Sequence, residues 1–303
     1  MSFPAYARSV LGFNLLVILW GAYVRASGSG AGCGNHWPFC NGAAIPRSPG
    51  TATLIEYAHR TSSGLALILV VWLWWWSRSE FVPGHRARRA ATVSLGFIIT
   101  EALIGAGLVL LGLVGQDDSL GRAAYLALHL LNTFLLLAAL ALTALWSTNF
   151  APLKEPTRGA APGLLLAGGL AILVVGMTGA IAALGDTLFP SASLAEGINA
   201  DSNPAAHLLI RLRVFHPVLA ILSGVYLSFM GWLLARVRPG SAQHPWIRVL
   251  GGLVLLQLGV GLTNLLLLAP ILLQITHLLI ADLLWITLVI VAATTLAAEP
   301  VRR

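Results

Sequence analysis

Charge is what this chain has least of. Asp and Glu number 11 and Lys and Arg 18 among 303 residues, whereas an ordinary soluble domain is roughly 25% charged. That deficit excludes a water-soluble globule. Cysteine is almost missing too: Cys33 and Cys40 share one Gly-rich stretch, and the rest of the chain has none. A signal-peptide cleavage pattern is also lacking, so the first apolar run reads as a retained span. What is present is apolar: 57% of the residues are hydrophobic. They lie in runs of about 20 residues, enough to cross a ~30 Å hydrocarbon core.

The runs fall at 9–27, 53–76, 91–114, 123–147, 162–184, 208–235, 246–268 and 271–296. The chain reads as an all-α polytopic membrane protein with eight transmembrane helices. With the N-terminus inside, the cytoplasmic ends and loops hold Arg8, Arg78, Arg86, Arg88, Arg89, Lys154, Arg158, Arg236, Arg238, Arg248, Arg302 and Arg303. The positive-inside rule selects this orientation, with both termini cytoplasmic. The net charge of +7 is therefore mostly topological and gives no reason to expect nucleic acid. The other basic residues, Arg25, Arg47, Arg60, Arg122, Arg211 and Arg213, sit mainly at outer span ends. There they either snorkel to the interface or clamp anionic groups of a ligand. The cluster "WLWWW" (72–76) fits an aromatic belt at the inner interface.

The eight spans divide into two sets of four. "ALHLLNTFLLL" (127–137) is echoed by "ITHLLIADLLW" (275–285), and "IGAGLVLLGL" (104–113) by "LGVGLTNLLL" (258–267). His59 and His216 each open the second span of a set. Units with an even number of spans enter from the same side, so this is a parallel repeat about an axis along the membrane normal. The architecture expected is two pseudo-symmetric four-helix bundles, residues 1–150 and 151–303, with polar sites inside each bundle.

His59, His129, His216 and His277 all lie in even-numbered spans, roughly six to eight residues below the outer end, at about 10 Å depth for ~1.5 Å rise per residue. Ionisable groups inside a bilayer are costly and by default functional. Four at matched depth in symmetry-related pairs are hard to explain as packing alone. Zinc fits poorly, because no matching set of Cys or carboxylate ligands accompanies them. Haem with two axial histidines needs two neutral imidazoles on facing helices and a dry slot, one site per half, with cations near the surface for its propionates.

The motifs "EYAHR" (56–60), "HLLNT" (129–133), "FHP" (215–217), "THLLIADLLW" (276–285) and "GAYVRASGSGAGCGNHWPFCNG" (21–42) resemble, in order and depth, those of the haem A synthase family. The resemblance covers essentially the whole chain. It implies an oxidoreductase of the cell membrane that converts a ring methyl of haem O to a formyl group through successive hydroxylations, giving haem A for cytochrome oxidase. It further implies haem b ligated by His216 and His277, haem O held as substrate by His59 and His129, and Glu56 as the essential acid. Cys33 and Cys40 match a cysteine pair of the family's first outer loop. The implied partners are membrane lipid, a haem O synthase and the cytochrome oxidase assembly route.

The residues support that division of labour. Glu56 stands three before His59, whereas Arg213 stands three before His216, and i,i+3 residues share a helix face. Glu56 either relays protons beside the substrate haem or forms an i,i+4 ion pair with Arg60. Arg25, Arg60, Arg211 and Arg213 are the candidate propionate contacts. An outer-side cysteine pair favours a disulfide, as a loop staple or with a part in haem delivery. Glu101 and Asp282 read as proton-path residues or helix–helix hydrogen bonds, and Asn132 as a polar contact near the His129 haem. The stretch 185–207 reads as a cover for the second haem or a mobile loop. The competing readings are a di-haem electron-transfer cytochrome b and a transporter. Ligands confined to the outer side leave the first without a path across the membrane. The second leaves Glu56 beside one pair unexplained.

Overall fold

The structure, a computed structural model, describes residues 1–148, 160–237 and 244–297. The half boundary expected at 150/151 and the cytoplasmic Lys154, Arg158, Arg238, Arg302 and Arg303 lie outside these residues. Within them the named elements are helices, with an isolated bridge between Cys40 and Ala43 in the first outer loop. The N-terminal half comprises α1 (Phe3–Ala26), α2 (Thr51–Glu80), α3 (Arg86–Leu110) and α4 (Leu120–Trp146). The C-terminal half comprises α5 (Ala161–Leu188), two short helices α6 (Leu194–Ser202) and α7 (Leu208–Leu212), then α8 (Phe215–Val237), α9 (His244–Leu266) and α10 (Ile271–Thr295).

The eight long helices correspond to the eight spans read from the sequence, and seven of them are long and apolar enough to cross a membrane. The exception is α2, whose first turns carry Glu56, His59 and Arg60 and whose last carry the tryptophans. The sixth span runs Leu208–Arg236 as expected, interrupted by a two-residue break at Arg213–Val214, between α7 and α8. His216 thus follows a break, while His59 lies in the unbroken α2.

Helix starts are marked locally. Pro occupies the first turn of α1 and of α5, where its missing N–H costs nothing. Ser119 caps α4 by accepting from the Arg122 amide. The expected aromatic belt holds Trp72 and Trp75, both exposed, with the Arg78 guanidinium 4.2 Å above the Trp74 ring.

Neighbouring helices within each half pack together, and α1, α4, α5 and α10 meet across the middle. One buried cluster joins Tyr6 and Val10 of α1 to Val70, Ile98 and Leu140. Another joins Phe134 and Leu137 of α4 to Ile172, Met230, Val254 and Trp285. In an apolar solvent every polar group has to be satisfied inside the protein, and side chains here do so by tying helix to helix. Tyr6 Oη donates to Leu69 O (3.0 Å) in one half and Tyr226 Oη to Leu164 O (2.9 Å) in the other. Trp285 Nε1 donates to Phe134 O and so joins α10 to α4.

Candidate functional site

The four histidines stand near the end of the bundle that carries the disulfide loop, each against a glycine of the preceding long helix. A Cβ added at Gly21 of α1 would lie 2.8 Å from the His59 ring, at Gly179 of α5 2.9 Å from His216, and at Gly261 of α9 2.9 Å from His277. At Gly105 of α3 it would be 4.0 Å from His129. Three imidazoles are seated in notches that only glycine leaves open, and the fourth is seated more loosely.

His216 and His277 face each other with ring centroids 6.1 Å apart and planes at 87°. Two metal–imidazole bonds of about 2.0 Å, plus about 1.1 Å from each nitrogen to its ring centre, would separate two rings on one metal by roughly 6.2 Å. The pair is therefore spaced for one iron between its rings. His216 Nδ1 lies 3.2 Å from Val175 O, the kind of outer contact that fixes a ligating tautomer. On the other side, Gln257 Nε2 lies 3.2 Å from His277 Nε2, and His277 Nδ1 is buried without a hydrogen bond. His59 and His129 stand on α2 and α4, diagonal helices of the N-terminal half that each pack against α1 and α3. Neither ring's Nδ1 makes a hydrogen bond. Among the described residues no group of three or more His, Cys, Asp or Glu is arranged to hold a bare metal ion; the donors present are pairs of imidazoles.

Glu56 is buried. Its Oε1 takes the Arg60 guanidinium in an ion pair, and its Oε2 accepts from the Cys33 amide (2.8 Å). Arg60 also donates to the carbonyls of His36 and Phe39. Cys33 and Cys40 form a disulfide, and Thr53 Oγ1 donates to Gly32 O (2.8 Å). Glu56 and Arg60 therefore clip the disulfide loop onto the head of α2, one turn above His59. The ion pair expected as the alternative role of Glu56 is formed.

Arg213 performs the corresponding task. It caps α7, pairs with Asp201 and with Asp186 (3.2 Å), and donates to Gly197 O (3.3 Å). The 185–207 stretch thereby folds onto the head of the second bundle and contains a helix, α6. Arg25 spans the two halves, donating to Ala183 O (2.7 Å), Thr187 Oγ1 (2.7 Å) and Gln274 Oε1 (2.9 Å). Of the four candidate propionate arginines only Arg211 is exposed, with a single long contact of 3.5 Å to Pro204 O.

Glu101 of α3 is held by α4: Asn132 Nδ2 donates to Oε2 and Thr133 Oγ1 to Oε1. Its Oε1 also lies 3.3 Å from His129 Nδ1. The helix–helix hydrogen bond and the polar contact at Asn132 are thus one network beside the histidine. Asp282 is wholly buried with neither oxygen hydrogen-bonded.

The glycine notches and Gln257 escaped the sequence reading. One signal was available: the repeated "IGAG" and "LGVG" stretches, whose alignment matches Gly107 with Gly261. In the structure Gly107 faces Tyr125 instead, and Gly105 takes the histidine. The true register differs by two residues.

A family model described as "Cytochrome oxidase assembly protein" matches residues 5–289. The chain is 47% identical over 291 residues to a protoheme IX farnesyltransferase of Thermus thermophilus, which covers 96% of this chain and 48% of that relative. It is 41% identical over 130 residues to a heme A synthase of Alkalihalophilus pseudofirmus, covering 42% of this chain and 40% of that protein. A heme A synthase of Shouchella clausii is 41% identical over 100 residues, 32% of this chain and 33% of that protein. The chain thus spans about half the length of the first relative. With the family match running nearly end to end, this chain belongs to the cytochrome oxidase assembly family that includes the haem A synthases.

Proposed function

We propose that the protein is a haem A synthase of the cell membrane, oxidising a methyl group of haem O to a formyl group for cytochrome oxidase. The observation that carries this reading is the pair of facing imidazoles at 6.1 Å, in a chain of this family whose other half repeats the glycine–histidine arrangement. His216 and His277 hold the resident haem b, which when bound supplies one-electron chemistry. His59 and His129 hold haem O as the substrate. The C-terminal half serves as the cofactor half and the N-terminal half as the substrate half.

Several of the chain's own residues have roles in this reading. Glu56, buried one turn from His59 on α2, is the acid on the disulfide-loop side of the substrate site, as Glu101 is on the His129 side. The two contacts of Glu56 keep the disulfide loop seated over that site, excluding water and fixing the approach of the ring methyl. Arg211 is the arginine best placed to take a propionate. The disulfide end faces the extracytoplasmic side, where Cys33–Cys40 is stable, and both termini face the cytoplasm. Haem O is made by transfer of a farnesyl group to protohaem. The relative from Thermus thermophilus named for that transfer is about twice the length of its match to this chain. Its length supports an enzyme of that class as the supplying partner.

Co-expression of the full chain with a protohaem farnesyltransferase, in cells that make no haem A, tests the reading. Extracted haems should contain haem A. Folded, haem-loaded protein without haem A would sink it and favour a di-haem electron carrier.

A further inference from the structure

The two halves place a different side chain four residues before the glycine that seats their last histidine. In α3 it is Glu101, before Gly105 and His129. In α9 it is Gln257, before Gly261 and His277. Both touch the histidine, at different ring atoms: Glu101 Oε1 is 3.3 Å from His129 Nδ1, whereas Gln257 Nε2 is 3.2 Å from His277 Nε2. A carboxylate can only accept, while an amide carries donors as well. His129 Nδ1 is buried and has no hydrogen-bond acceptor other than this carboxylate within reach. Asn132 and Thr133, one turn below His129 on α4, pin both carboxylate oxygens, so Glu101 is held where the ring can turn to it.

We propose that Glu101 is a positioning residue of the N-terminal haem site: it accepts from His129 Nδ1–H, fixes that tautomer, and leaves the Nε2 lone pair for haem iron. The inference rests on the assignment of His59 and His129 as haem ligands. A carboxylate behind an imidazole raises its basicity, so iron at this site is held in a more electron-donating field than iron in the C-terminal half. The counterpart Gln257 touches the ligating nitrogen itself and cannot act this way. The repeat is therefore asymmetric in the ligand field of its two sites as well as at Glu56 and Arg213.

The test uses full-length protein, wild type and Glu101→Gln, purified in detergent from cells making haem O. The two low-spin haem signals are assigned by their loss in His59→Ala and in His277→Ala. Glu101→Gln should keep the His277-dependent signal, which shows the fold intact. It should alter the electron paramagnetic g-values of the His59-dependent haem, raise that haem's midpoint potential, and weaken its retention about 10- to 100-fold. A merely structural role would lower retention without moving the g-values or potential of the haem that remains. Unchanged g-values and potential, or equal shifts in both haems, overturn the proposal. Should Glu101→Gln lose both signals, Thr133→Val decides, because it is isosteric and frees one carboxylate oxygen. It should shift the His59-dependent signal in the same direction by less, and an unmoved signal overturns the proposal. If no signal depends on His59, the assignment of that histidine fails, and the proposal with it.

Discussion

Three residues before His59 in the N-terminal half stands Glu56. Three before His216 in the C-terminal half stands Arg213. In sequence the opposite charges suggest that one half does chemistry and the other does not. In the structure both side chains first do the same thing: each ties its own loop to the head of the bundle, Glu56 through the Cys33 amide and Arg213 through Asp201 and Gly197 O. What differs is the backbone beneath them. Glu56 rides an unbroken helix, so its charge stays one turn above His59, while Arg213 closes a break between α7 and α8 and pairs with two acids. A charge difference between repeats marks a functional difference only once the shared structural task has been subtracted.

The largest test of the comparison removes ligands one half at a time. On the proposed ligation, His277→Ala or His216→Ala should cost about one haem per chain, because it would remove an axial ligand of the resident one. His59→Ala or His129→Ala should leave that haem in place and abolish haem A formation. Absorbance of the purified protein, with haem extraction, reads both. Loss of the resident haem in the N-terminal variants would show that the halves do not hold separate sites.

Next comes Glu56→Gln. Its removal leaves the half-buried Arg60 without its carboxylate, and breaking a fully buried pair costs about 3–5 kcal/mol, an upper bound here. The variant should lower the thermal midpoint, keep the His216/His277 haem, and lose product. Arg213→Gln, which leaves Asp186 and Asp201 without their cation, should show the reverse pattern, disturbing the resident haem before the product. If both variants affect both haems equally, the two loops form one lid and the comparison collapses. A smaller effect is expected from Cys33→Ser with Cys40→Ser. Closing so short a loop contributes about 2–3 kcal/mol in the chain-entropy account, and Glu56, Arg60 and Thr53 still hold the loop. Reduced stability with both haems retained, measured by melting with and without reductant, is the expected outcome.

Much of this was legible in the sequence. Four histidines at one depth, a duplicated pattern and a cysteine pair are signals written in side-chain identity. The helix break at Arg213–Val214 was marked by Pro217, whose missing N–H and ring deny the Arg213 carbonyl, four residues back, a helical bond; what the sequence did not show is that Arg213 would tie the preceding loop down through Asp201 and Gly197. The arginine roles in general were not legible. Arg25, Arg60 and Arg213 each donate in part to backbone carbonyls, those of Ala183, His36, Phe39 and Gly197, and carbonyls exist at every position and leave no pattern. The two-residue register error arose because glycines in an apolar run look alike. Only the ring that fills the space above each one tells Gly105 from Gly107.

That distinction yields the finest test. Alanine at Gly21, Gly179 or Gly261 sets a methyl group 2.8–2.9 Å from an imidazole, closer than real Cβ contacts come, so the ring or the helix has to move. Overpacking of this kind costs about 1–3 kcal/mol, and here it falls on a group whose orientation decides ligation. Each of these variants should lower haem occupancy at its own site and spare the other. Gly105→Ala places its methyl at 4.0 Å from His129, an ordinary contact, and alanine favours the helix by about 1 kcal/mol. It should bind haem as well as wild type or fold slightly better. The difference has a physical source: three histidines are located by the shape of the neighbouring helix, and His129 by the carboxylate of Glu101. Equal losses from Gly105→Ala and Gly261→Ala, read as haem absorbance per protein, would mean that shape locates all four rings and that Glu101 is a bystander.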